Sequence, residues 1–191
     1  EETRARYGID RWLNGMSDYD ARHRLYAAPT ITICGIESGY TGVGSKTVLP
    51  SEAMVKLDFR LVPDLTPELA QDLLRQHLDR RGFTDISITF LGGEPPAKSP
   101  PGSLVERAAV AASQDALGQT PIMQPWAPGS GPMYSLSTML GMPVVFAGAT
   151  WNPDSLMHAP NENIYVEDYF AAMRFMGAFL HRFATLEAVA E

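Results

Sequence analysis

The stretch "SGYTGVGSKTVLPSEAMVKLDFRLVPD", residues 38 to 64, opens as a glycine-rich turn and closes as a strand. Its first half nearly fits the phosphate-loop pattern G-x-x-x-x-G-K-[ST] through Gly39, Gly44, Lys46 and Thr47. Ser45 intrudes between the second glycine and the lysine. Pro50 and a strand then follow, where phosphate binding needs a helix N-terminus aimed at the anion. Nucleotide binding is therefore set aside. Two readings stay open: a turn between strands, and a substrate-facing loop in which Thr47 offers a hydroxyl. From Ala53 the pattern alternates. Ala53, Val55, Leu57, Phe59 and Leu61 face one way, and Lys56, Asp58 and Arg60 the other, which predicts a half-buried strand. Arg60 ends its polar face. A guanidinium there either pairs with an acid such as Asp58 or clamps a substrate carboxylate bidentately.

Working outward, "TITICGI" (30–36) alternates as a second strand. On the other side Thr66 is a helix N-cap, Pro67 takes the first helical position, and Leu69, Leu73, Leu74 and Leu78 form an apolar stripe that stops at Gly82. "DISITF" (85–90) then reads as a further strand with Ile86, Ile88 and Phe90 on one face. The Pro- and Gly-dense run "LGGEPPAKSPPGS" marks a boundary, which divides the chain into residues 1–92 and 93–191. Beyond it, Ser103 and Glu106 form a capping-box pattern before a helix ending near Gly118. A short strand at 121–125, a helix at 132–140, the apolar strand "PVVFAGA" (143–149) and a helix from about 166 to 185 complete the second part. An all-apolar strand suits a parallel sheet covered on both faces. Two strands are too few for such a sheet, which typically has ~4–6, so it looks incomplete.

Composition excludes several classes. The chain has 191 residues, 45% hydrophobic and 19% charged, with a net charge of −7, which speaks against nucleic-acid and anionic-membrane partners. No apolar run approaches the ~20 residues of a membrane helix. Cys34 is the sole cysteine, so no internal disulfide and no cysteine-based zinc site can form, and a reducing compartment is favoured. The opening "EETRARYGID" has neither Met nor a signal-peptide pattern, and a missing amino-terminal portion is expected.

Two further stretches carry polar chemistry. "GSGP" places Gly129, Ser130 and Gly131 before Pro132, where Ser130 caps the next helix or its amides hold an anion. It does not fit the G-x-S-x-G nucleophile elbow. In "LMHAPNENI" (156–164), His158 follows an apolar strand, the position where open α/β sheets place ligands. His23, His77 and His181 lie in charged or helical contexts and read as surface or packing residues. No second ligand lies two to five residues from His158, so spacing alone leaves surface loop and metal ligand both open.

Together, "SGYTGVGSKTVLPSEAMVKLDFRLVPD", "GSGP" and "HAPNE", in this order and spacing, resemble the dinuclear-zinc metallopeptidases that include carnosinase-type dipeptidases, aminoacylase and succinyl-diaminopimelate desuccinylase. The resemblance implies an α/β protein: the later part of a ferredoxin-like lid, which dimerises, followed by the carboxyl-terminal part of a mixed-sheet catalytic domain. It implies that His158 binds one of two zinc ions, with manganese or cobalt as alternatives, and that Thr47, Arg60 and Ser130 contact a peptide or acyl-amino-acid substrate with a free carboxylate. Asn161 and Glu162 would shape the loop. The family's H-x-D motif, bridging Asp, Glu-Glu pair and lid histidine find no match, so no catalytic residue is expected in this chain, and alone it would be inactive. A non-catalytic dimerisation or binding module of the same fold is the alternative. A cytoplasmic homodimer is expected of the intact enzyme.

Overall fold

The computed structural model describes residues 2–124, 126–148, 152 and 154–186. The chain divides into two compact units, Glu1–Pro96 and Ala97–Glu191.

The first unit begins with helices α1 (Glu2–Arg6) and α2 (Asp18–Ala27). The hydroxyl of Ser17 accepts from the Asp20 N–H at 3.0 Å and donates to the Asp20 carboxylate at 2.7 Å, closing the start of α2. Asp18, in its first turn, accepts from the Trp12 indole at 2.6 Å and from Arg4 Nε at 2.7 Å. These donors, the indole first, hold its carboxyl far below the usual carboxylate range.

Strands β1 (Thr30–Ser38) and β2 (Ala53–Arg60) form an antiparallel pair. Ile33 pairs with Leu57 and Gly35 with Lys56, so Cys34 is the extra residue of a bulge. The bulge has a packing consequence. "TITICGI" breaks strict alternation at Ile36, and the inserted residue returns Ile36 to the face of Ile31 and Ile33, opposite Val55, Leu57 and Phe59. The expected half-burial of β2 does not hold: Val55 is 51% exposed and Ile36 71%, with only Phe59 half-buried. Alternation fixes which side chains share a face, not what covers it. Among the described residues, no other element packs substantially on this sheet.

Helix α3 (Pro67–Arg80) starts as expected, with Thr66 Oγ1 accepting from the Leu69 N–H at 3.2 Å and Pro67 buried. The strand expected over 85–90 is corrected. That segment has no ladder partner, and the sheet contains β1 and β2 alone. Arg75 takes one of its carbonyls, that of Ile86, instead. While paired with Asp79, it donates to the backbone oxygens of Phe83 at 2.7 Å and of Ile86. Gly93 then runs against the start of α3, where an added Cβ would lie 2.9 Å from Pro67 Cβ and 3.2 Å from the Phe90 ring.

The second unit is organised by α4 (Leu104–Leu117) and α5 (Val166–Thr185). Ser103 accepts from the Glu106 N–H at 3.4 Å, and the Glu106 carboxylate accepts from the Gly102 N–H at 2.7 Å. This reciprocal cap sits one residue earlier than the usual box. Gly118 ends α4 in the left-handed region at φ 66°. Ala108, Ala109 and Ala112, at 0%, 4% and 0% exposure, give α4 a smooth face, and Phe175 of α5 is buried against it. Arg182 joins the helices farther on, donating to Asp115 at 2.6 and 2.8 Å.

Three further expectations change here. The helix expected over 132–140 is a π-helical turn, Ser135–Met139, closed by the Leu140 N–H on the Ser135 carbonyl at 3.2 Å. Residues 121–124 carry no strand pairing, and Pro125 lies outside the described residues. The segment 143–148 of "PVVFAGA" is likewise unpaired, while Ala149 lies outside the described residues. A side chain supplies what a neighbouring strand would. Ser99 Oγ donates to the Val144 carbonyl and accepts from the Val144 N–H, each at 2.7 Å. One hydroxyl thus satisfies both backbone groups of a half-buried residue, and leaving such groups unpaired costs about 1–3 kcal/mol each.

Candidate active site

Thr47 and Arg60 belong to the first unit, Ser130 and His158 to the second. The loop bearing Thr47 leaves β1 at Gly39 and is tied at its base by Ser38 Oγ donating to the Glu52 carbonyl at 3.3 Å. Its glycines have distinct uses. Gly44 sits at φ 88°, a conformation costly for a side-chain-bearing residue. Gly42 has an ordinary φ, yet a Cβ there would collide with the Tyr40 ring and hydroxyl. Tyr40 thus folds back over the loop, its hydroxyl donating to the Val43 carbonyl at 3.2 Å and its ring lying 5.7 Å beneath the Lys46 ammonium. The Val48 N–H bonds the Lys46 carbonyl at 3.0 Å, which puts Thr47 at the apex of a three-residue turn. No helix follows, since β2 begins at Ala53, so the loop lacks the anion-holding element of a phosphate loop.

Arg60 is the last residue of β2, opposite Thr30. Its Nε lies 3.2 Å from Asp58 Oδ2, two residues back on the same polar face, with the side chains 58% and 51% exposed. The ion pair weighed from the sequence is present. Exposure leaves it weakly stabilising, and an anionic ligand could compete with Asp58 for the guanidinium.

Ser130 is exposed and precedes a tight turn in which the Met133 N–H bonds the Gly131 carbonyl at 2.7 Å. Ser137 Oγ donates to the Met133 carbonyl at 2.7 Å, inside the π-helical turn. Ser137 thus helps anchor this region, and sequence patterning did not single it out.

His158 is exposed in a loop with a tightly specified backbone. Leu156, His158 and Asn161 all lie in the left-handed region, at φ 51°, 63° and 66°. For L-residues other than Gly, and to a lesser degree Asn, this costs about 1–2 kcal/mol each and survives only where surroundings impose it. Here they do. Ser155 is buried and donates to the Asn152 carbonyl at 2.7 Å, the Asp154 N–H bonds the Asn152 side chain at 2.8 Å, and the Ala159 N–H bonds the Leu156 carbonyl at 2.8 Å. Asn163 closes the loop from its far side. Nothing in the spacing of "LMHAPNENI" announces this strain, because Leu and His carry no preference for the left-handed region.

An imidazole on such a loop suits one position of a metal shell. Among the described residues no group of three or more His, Cys, Asp or Glu could hold a metal ion. Nor is any helix among them long and apolar enough to cross a membrane.

Comparison with known proteins gives this arrangement its context. Residues 9–85 match a peptidase dimerisation domain. The chain is 26% identical, over 187 residues, to a Cys-Gly metallodipeptidase of Candida albicans, covering 95% of this chain and 38% of that protein. It is 30% identical over 101 residues to the Beta-Ala-His dipeptidase of Rattus norvegicus, covering 50% of this chain and 20% of the relative. Its fold matches the crystal structure of an M20 family metallo-carboxypeptidase from Sulfolobus solfataricus with a TM-score of 0.81 and 33% identity, over 97% of this chain and 42% of that one. The chain thus spans less than half the length of these relatives. In fold class it is α/β, it is similar in sequence and fold to M20 family peptidases, and its residues 9–85 match a peptidase dimerisation domain.

Proposed function

We propose that the intact protein is a metal-dependent peptidase that hydrolyses the amide bond of dipeptides or N-acyl amino acids carrying a free carboxylate. The observation that supports this reading best is the fold likeness over 97% of the chain, at 33% identity, to a metallo-carboxypeptidase. In it, residues 1–92 are the later part of a lid that joins two copies, and residues 93–191 are the carboxyl-terminal part of the catalytic domain. Thr47, Arg60 and Ser130 contact the substrate, Arg60 and Thr47 through its free carboxylate, which suits the two-pronged guanidinium of Arg60. His158 serves as one ligand of a two-zinc site, with manganese or cobalt as alternatives, whose remaining ligands come from beyond these 191 residues. The metals would supply Lewis-acid chemistry once bound. The chain by itself is then inactive, and the working enzyme is a cytoplasmic homodimer.

Turnover of a dipeptide panel by the intact protein, with zinc or manganese added, tests this directly. Hydrolysis is expected, with bound metal and turnover both lost in His158→Ala. Absence of hydrolysis across dipeptides and N-acyl amino acids would overturn the enzymatic reading. It would favour the alternative, a non-catalytic dimerisation module, to which the match over residues 9–85 also points.

A further inference from the structure

The loop that presents His158 is closed chiefly by Asn163, beside the Tyr165 hydroxyl, which donates to the Asp154 carboxylate at 3.5 Å. Its backbone N–H donates to the Ser155 carbonyl at 2.9 Å, and its side-chain Nδ2 donates to the carbonyls of Asp154 at 2.9 Å and Asn161 at 3.1 Å. An amide nitrogen carries two hydrogens, and here both are spent within the loop. One end of the closure is firm, because Ser155 is buried and bonded to Asn152. The chain between the clamped ends contains the left-handed Leu156, His158 and Asn161. An exposed loop with three such residues relaxes unless its ends are held, and Asn163 is the side chain that holds both.

We propose that Asn163 is the positioning residue of His158: through the Asp154 and Asn161 carbonyls it keeps the histidine backbone left-handed and the imidazole aimed in one direction. The inference deepens the functional reading above and rests on it, since that reading makes His158 the group worth aiming. Asn163 itself touches no reacting atom. Its effect runs through the loop backbone alone.

The test uses protein labelled with ¹³C- and ¹⁵N-histidine, and the variants Asn163→Ala and Asn163→Asp. The aspartate keeps the shape and the backbone N–H but turns carboxylate oxygens toward two carbonyls. Both variants are expected to move the His158 Cε1–Hε1 cross-peak. Both should also speed amide exchange at Ala159 by about ten-fold or more, as the local closure opens. In the intact protein, kcat for a dipeptide should fall about ten-fold or more while KM stays nearly constant, the size of effect that ligand-orienting partners have. If the cross-peak and the Ala159 exchange rate both stay at parental values in folded variants, the clamp is refuted. If His158→Ala abolishes turnover while both Asn163 variants turn over normally, the inference fails and the functional reading survives. If His158→Ala turns over normally, the functional reading fails, and the positioning role falls with it.

Discussion

His158 sits at φ 63°, where a Cβ crowds the backbone, and it bears that cost on an exposed loop. Strain of this kind separates a residue kept for its side chain from one kept for its fold. Glycine relieves the clash but adds about 0.5–1 kcal/mol of unfolded-state entropy, against about 1–2 kcal/mol of strain removed. His158→Gly is therefore expected to match or slightly exceed the parent in thermal stability, whereas His158→Ala retains the strain and gains nothing. Melting curves of the two variants decide the matter, and a His158→Gly protein clearly less stable than His158→Ala would show that the strain reading is wrong. The histidine was legible in the sequence as a candidate. Its backbone was not, because φ at one loop position depends on hydrogen bonds from Ser155 and Asn163 that spacing does not reveal. Arg60 behaves oppositely: a strand-face arginine two residues from Asp58 announces its ion pair, since i and i+2 share a face.

At the scale of elements, local rules succeeded where the information is local. Thr66 with Pro67, Ser103 with Glu106, and Gly118 set the ends of α3 and α4 through bonds spanning a few residues. Helix α2 escaped periodicity because it has almost no apolar face. The capping pattern of Ser17 and Asp20 was the signal that could have found it. Strands fared worse, since a strand exists only with a partner, and side chains hold one residue of each expected segment instead, Arg75 at Ile86 and Ser99 at Val144. The junction of α4 and α5 carries a pH dependence. Two hydrogen bonds from Arg182 hold the Asp115 carboxyl below its ordinary value of 3.8, and the carboxylate raises the guanidinium in return. A depressed folded value means that the unfolded chain binds the proton more readily. The pair's stabilisation is then present above pH 3.8 and is lost as pH falls through the lower folded value. Below pH 4, the parent should lose melting temperature more steeply than Asp115→Asn, a difference thermal scans across pH 2 to 6 would measure. The pair is exposed, so the difference is expected to be small and to shrink further in salt.

At the scale of the molecule, the apolar face of β1 and β2 and the exposed stripe of α5, including Tyr169, Met173, Met176 and Leu180, are more apolar surface than isolated units of this size usually present to water. Residues 9–85 match a peptidase dimerisation domain, and on the functional reading proposed above self-association is expected. Sedimentation velocity should find a species at twice the 20.9 kDa chain mass. Monomer alone throughout a concentration series would contradict dimerisation through this domain. The sequence by itself determined the helix boundaries built on local caps, the pairing faces of β2, the absence of a phosphate loop and the family likeness. Each depends on residues close together in the chain or on a motif read in order. Tertiary structure alone decided the bulge at Cys34, the diversion of two expected strands onto Arg75 and Ser99, the folding of Tyr40 into the space left by Gly42, and the strained, clamped backbone of His158. In each of these, a backbone group or a small void is satisfied by a side chain whose proximity is set by the fold rather than by periodicity.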